Sequence, residues 1–120
     1  MKIRALSIKQ PWATMIAIGR KTIETRTWQT SYRGPVLIVS SKLPDFDHPL
    51  LPTSSALAIA ELSDIWPMLP ADELAACCSW HHSLFSWELQ EIRLIREPFF
   101  VRGQRGLYEV EITDNIECAL

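Results

Sequence analysis

The stretch Gly19-Arg20-Lys21-Thr22-Ile23-Glu24-Thr25-Arg26 brings an amine, a carboxylate and a guanidinium together between Lys21 and Arg26. Such cations hold a phosphate or a developing oxyanion, a carboxylate moves a proton, and threonine hydroxyls serve as donors or nucleophiles. On a strand, alternation puts Thr22, Glu24, Arg26 and Trp28 on one face and Ile23, Thr25 and Thr27 on the other. Lys21 lies at the turn before that strand and can swing to join Glu24. Two cations flanking one acid suit the holding of a polar ligand better than the generation of a nucleophile. A partly desolvated Lys21 would instead act as a base or polarise a carbonyl. The plain alternative is a solvated Glu–Arg pair, worth little to stability and without function.

Other residues extend this group. Lys9, Gln10, Tyr32, Arg33 and Lys42 are candidates for phosphate contacts and a stacking ring beside the same cleft. Arg102, with Arg105 across Gly103, offers a second basic edge. Trp12 and Trp28 flank the central stretch, and either can present its face to a base. Taken singly, each of these is as readily an ordinary surface or core residue. Cys77-Cys78-Ser79-Trp80-His81-His82 contains one pair at metal-ligand spacing, Cys78 and His81, but no second pair follows. No metal and no cofactor are expected.

The elements that must position these residues follow from periodicity and breakers. Residues 11–18 read as a two-turn helix with Pro11 at its first position and Gly19 as its stop. Residues 22–28 read as a strand, 29–34 as a turn and 35–41 as a buried strand. Residues 42–55 carry Pro44, Pro49 and Pro52 and read as a surface loop. A strand over 56–66 precedes a short helix starting at Pro70, with acids in its first turn. In 84–96 the apolar parity changes between Leu89 and Ile92, which implies a strand with a bulge near Gln90–Glu91, although helical spacing fits part of it. Residues 107–113 form a closing strand. Many strands with two or three short helices define an α+β chain built as a small β-barrel rather than a layered βαβ fold.

The 120 residues fit one domain, expected over 1–120, and 48% hydrophobic against 22% charged content excludes general disorder. No apolar run is long enough for a membrane span, residues 1–20 show no secretory signal, and three cysteines make no disulfide framework. A cytoplasmic location is expected. The net charge of −2 divides unevenly: residues 1–42 hold eight bases and one acid, and residues 43–120 hold four bases and thirteen acids. A basic N-terminal third is a candidate anion-binding region, unless the two parts neutralise each other in the fold. It suits a small focused cleft better than a broad duplex-binding surface.

Leu6-Ser7-Ile8-Lys9-Gln10-Pro11-Trp12-Ala13 followed by Gly19-x-Lys21-x-x-Glu24-x-Arg26 resembles the opening of the ASCH family, the activating signal cointegrator homology domain. Arg33-Gly34-x-x-x-Ile38, Phe85-Ser86-Trp87-x-Leu89 and Gly103-x-x-Gly106-Leu107-Tyr108 resemble its remaining landmarks. The resemblance implies a PUA-like β-barrel with a cleft at the signature, in a superfamily that mostly binds RNA or modified bases. The expected function is therefore binding of RNA or a modified nucleoside. The first alternative is a small amidohydrolase that deacylates N4-acetylcytidine-type nucleosides; the second is a coactivator-like module for a protein partner. The amidohydrolases use a lysine, a threonine and a glutamate. Lys21 matches the lysine, while Glu24 stands where their threonine falls. Thr22 and Thr25 are the substitutes on hand, and Glu61 and Glu88 are candidates for the glutamate.

Overall fold

Val36, Leu37, Ile38 and Val39 are each at most 1% exposed, so the strand that carries them is covered on both faces. In the computed structural model, which describes residues 1–113, 116, 118 and 119, this strand is third in chain order. The order is β1 (Lys2–Ile8), α1 (Trp12–Ala17), β2 (Ile23–Arg26), β3 (Gly34–Ser40), β4 (Ser55–Pro67) and a 3₁₀ turn (Pro70–Asp72). Then come α2 (Glu73–Ala76), β5 (Phe85–Phe100), β6 (Leu107–Glu111) and β7 (Cys118–Ala119). All strands join one sheet in the order β2-β5-β4-β3-β1-β6, with β7 paired to β5. The β1–β3 pair is parallel and the other pairs are antiparallel.

The alternation of strand side chains divides the core by face. Val36 and Ile38 pack with Leu6, Ile8, Leu62 and Trp87, and α1 adds Ala13, Ile16 and Ala17. Leu37 and Val39 pack on the opposite face with Ile3, Ala5, Ile95 and Tyr108. Full burial of each large aliphatic side chain contributes about 1.5–3 kcal/mol. Along the sheet path, β5, β4 and β3 lie between β2 and β1. Even so, Arg26 Nη2 of β2 donates to the Ser7 carbonyl of β1 at 2.8 Å. The sheet has therefore curled until one edge strand approaches the far side. Among the described residues no strand pairing closes it, so the expected barrel is a curled half-barrel with few short helices.

Several boundaries move for local reasons. Pro11 precedes α1 instead of opening it, and Gln10 Oε1 accepts the first-turn Thr14 N–H at 3.0 Å. Gly19 ends the turn as expected, at φ +83°. β2 stops at Arg26 because its partner Phe85 is the first residue of β5. In β5, Gln90 pairs with Glu61 and Arg93 with Ile59, so Glu91 and Ile92 together oppose Ala60. That bulge, with Glu91 at φ +50°, lies within a residue of the expected one and lets β5 run on to Phe100. No helix among the described residues is long and apolar enough to cross a membrane.

Candidate functional site

The curl leaves a cleft of about 480 Å³ between the end of β1, strand β2 and the end of α2. Glu24 sits at its centre with a side chain 8% exposed. Its Oε1 lies 3.6 Å from Lys21 Nζ, and its Oε2 lies 3.0 Å from Arg26 Nη2. Each cation also holds a backbone carbonyl: Lys21 donates to Ala76, and Arg26 donates to Ser7. The Lys21 ammonium is 5.9 Å from the centroid of the Trp12 ring, within cation–π range. Trp12 remains 40% exposed at the rim of the cleft. Two polar atoms in the lining residues, Arg26 Nε and Ser41 Oγ, are buried without a hydrogen-bond partner. A buried donor left unpaired costs about 1–3 kcal/mol, so each of these atoms is open to a partner from solvent or a ligand.

The wall opposite β1 is fixed by a second polar group. Thr22 N donates to the Ala75 carbonyl at 3.0 Å, and the Thr22 carbonyl accepts Leu89 N at 2.9 Å, so β2 is clipped between α2 and β5. Asp72, itself buried, accepts the Leu69 amide, Trp66 Nε1 and Ser86 Oγ, each at 2.9 Å. Burial alone would raise the Asp72 pKa, but the three donors outweigh it and hold the carboxyl below its ordinary value. This ties the turn and α2 to the start of β5, and so places Ala76, Cys77 and Cys78 against the signature strand.

The residues expected to act together separate into three groups. Lys9, Trp12, Lys21, Glu24, Thr25 and Arg26 all line the cleft. Thr25 does so despite its opposite parity, because α2 folds over that face and brings Cys78 Sγ to 3.7 Å from its hydroxyl. Lys42 and Arg102 line a neighbouring trough that shares Ser7, Lys9 and Ser41 with the cleft.

The third group lies elsewhere. Thr22 is exposed and outside the cleft lining. Trp28 turns edge-on against Trp87 at 4.8 Å, where its apolar ring joins the core. Gln10 is spent on Thr14 and the Pro52 carbonyl. The Tyr32 hydroxyl donates to the Pro35 carbonyl; burial and the Glu61 charge raise its pKa, partly offset by Arg4. Arg33 binds the carbonyls of Thr30 and Tyr32. Neither Glu61 nor Glu88 lines the cleft; Glu88 accepts Ser63 Oγ at 2.7 Å. Sequence reasoning did not assign Ser7, Ser41 or Cys77 to the site. Ser7 had one signal, its place in the quoted opening string, while Ser41 had none beyond ending an apolar run. Among the described residues, no group of three His, Cys, Asp or Glu side chains converges to hold a metal ion.

A curled half-barrel sheet with few short helices, holding a Lys–Glu–Arg array at its mouth, defines a small barrel-like domain. The sequence model of the ASCH domain matches residues 6–114, and the chain belongs to the ASCH family. Its fold is similar to the crystal structure of ASCH from Zymomonas mobilis, with a TM-score of 0.69 and 16% identity over 90% of this chain and 87% of that one. Two crystal structures of mutant forms of that Zymomonas protein align with TM-scores of 0.65 and 0.64, also at 16% identity. They cover 95% and 92% of this chain, and 92% and 88% of theirs. No curated protein matches the chain significantly in sequence.

Proposed function

We propose that the chain binds RNA or a modified nucleoside by seating one base in the cleft, within a PUA-like variant of the half-barrel. The observation that carries this reading is the buried array of Lys21, Glu24 and Arg26 beneath a half-exposed Trp12 ring. Bases taken out of a stack are recognised by an aromatic or cationic face together with hydrogen bonds to their polar edge. Trp12 supplies such a face. Glu24 supplies acceptor lone pairs, and a modest rotation of Arg26 or Ser41 offers a ligand the donor that lacks a partner. One carboxylate shared by two cations leaves the array a single net positive charge, and Glu24 between them adds an acceptor edge that a base can read and a free anion cannot.

The test is titration of the protein with cytidine, N4-acetylcytidine and short single-stranded RNA, followed by isothermal calorimetry. Arg26→Ala and Lys21→Ala are expected to weaken binding at least tenfold while the folded fraction, checked by circular dichroism, is retained. Equal affinity in wild type and both variants would sink the proposal.

One observation favours a second reading, amidohydrolysis of an N4-acylated cytosine: the Thr25 hydroxyl lines the same cleft as Lys21. Against it, Glu24 is engaged by both cations, Lys21 is further held by the Ala76 carbonyl, and the Thr25 hydroxyl faces Cys78 Sγ at 3.7 Å in place of a base. Absence of acetate release from N4-acetylcytidine between about pH 6 and 9, the span of usual general bases, removes this reading.

A further inference from the structure

Beside the cleft runs a trough of about 720 Å³ whose charged lining consists of Lys9, Lys42, Arg102 and Arg105, with no acidic residue. Among the described residues none of these four cations makes a salt bridge, although the chain as a whole carries more acids than bases. Two come from the basic N-terminal third and two from the acidic remainder, so the fold has collected them from distant parts of the chain. Four like charges around one concavity repel each other, and they focus a field that an anion relieves.

The trough is continuous with the cleft through Ser7, Lys9 and Ser41, which line both. Ser41 Oγ, buried and without a partner, stands at that junction. The loop that carries Arg102 and Arg105 packs on β1: a Cβ at Gly103 would meet Ser7 Oγ at 2.9 Å, and Ser7 Oγ is itself 2.8 Å from the Tyr108 hydroxyl. The Phe100 ring, 76% exposed, lines the same trough.

We infer that the trough is a phosphate site, and that the ligand is a nucleotide whose base occupies the cleft and whose phosphate ester lies among Lys9, Lys42, Arg102 and Arg105. This rests on the reading of the cleft given above. It narrows the substrate class from nucleosides in general to phosphate esters, carried either by a mononucleotide or by the backbone of a single strand. In the strand case Phe100 offers a stacking surface to the neighbouring base, as aromatic side chains do in single-strand grooves.

The experiment compares cytidine, cytidine 5′-monophosphate, cytidine 3′-monophosphate and a cytidine dinucleotide by calorimetry at low salt, alongside inorganic phosphate read by thermal shift. At least one ester is expected to bind tenfold or more tightly than cytidine, with the advantage shrinking as salt rises. The dinucleotide exceeding both monophosphates assigns a strand, and the reverse assigns a mononucleotide. In Lys42→Ala/Arg102→Ala the ratio of ester to nucleoside affinity should fall to near one, and in the charge reversal Lys42→Glu the ester should lose its advantage. Both positions are exposed, and unliganded melting checks that each variant is folded.

Equal binding of cytidine and all esters overturns the phosphate assignment while leaving the cleft reading intact. An ester advantage that survives the double variant also overturns it. Stabilisation by inorganic phosphate with no binding of any nucleoside or ester overturns the cleft reading and, with it, the nucleotide assignment.

Discussion

Glu24→Gln isolates the charge of the buried array while keeping side-chain size. In the wild type one carboxylate serves two cations, at 3.6 Å and 3.0 Å, and the Lys21 side chain is only 4% exposed. Removal of one partner from a buried ion pair leaves the other charge uncompensated and typically costs about 3–5 kcal/mol. Here the lower end applies. Arg26 keeps the Ser7 carbonyl and is 22% exposed, and Lys21 keeps the Ala76 carbonyl, so neither cation is left bare. We therefore expect a loss of about 3 kcal/mol, with a fall in Tm of roughly 10–15 °C for a chain of this size. Urea denaturation at neutral pH and low salt reads the free energy, with the m-value checking that the unfolded state is unchanged. Lys21→Met and the pair Lys21→Met/Glu24→Gln complete a cycle in which the two changes should couple by at least about 1 kcal/mol, because the double variant removes the ammonium that Glu24→Gln strands. A loss below about 1 kcal/mol for Glu24→Gln, or costs that add within about 0.5 kcal/mol, would refute the argument that the array is one buried electrostatic unit.

Three further outcomes follow from the same geometry. Asp72→Asn should cost about 2 kcal/mol at neutral pH; because the native carboxyl titrates below its unfolded value, that contribution is present above the unfolded pKa and lost as pH falls through the folded one, so urea melts of wild type and variant should converge below about pH 4. Gly103→Ala should displace Ser7 Oγ from the Tyr108 hydroxyl or shift the Arg102–Arg105 loop, read as a Tm lower by a few degrees; an unchanged Tm would show that the loop is not seated against Ser7 as described. Trp12→Ala should weaken binding of a cleft ligand by about tenfold, the scale of one lost stacking contact of 1–3 kcal/mol, with little change in stability because the ring is half out of the core.

What the sequence made legible was local. The stop at Gly19, the doubly buried run from Val36 to Val39 and the bulge near Glu91 each follow from backbone conformation or from side-chain parity over a few residues. The array of Lys21, Glu24 and Arg26 was legible for the same reason, since its members lie within one turn and one short strand. The parts that escaped depend on contacts across the chain. Thr25 enters the cleft only because α2, held by Asp72, lies over its face. Ser7 and Ser41 meet because β1 and β3 pair in parallel, with Ser41 N donating to the Ile8 carbonyl at 2.9 Å. Trp28 lies on the face alternation gave it, that of Glu24 and its partner Trp87, but its ring is taken up by the edge of Trp87 and the core and does not line the cleft.

The division of charge also changes meaning once the fold is known. A basic N-terminal third suggested that the anion-binding surface belongs to that segment, with mutual neutralisation as the alternative. Both hold in part, and for different residues. Lys2 meets Glu109 at 3.8 Å and Arg33 meets Asp64 at 3.8 Å, so bases of the first part are offset by acids of the second. Lys21 and Arg26 share Glu24 from their own segment. The cations that remain around the trough, Lys9 and Lys42, are joined by Arg102 and Arg105 from the acidic part. The positive region is thus defined by which charges the fold leaves without a carboxylate, and not by position in the chain. Pairing with Glu24 offsets one of the two cleft cations and fixes both for directional hydrogen bonds, and the absence of pairing retains the full field where a phosphate would lie. A uniform basic face would attract any polyanion; a pocket whose carboxylate orders its two cations, beside a trough that has no carboxylate, favours a ligand with one polar ring and one anionic group nearby, which is the chemistry of a nucleotide.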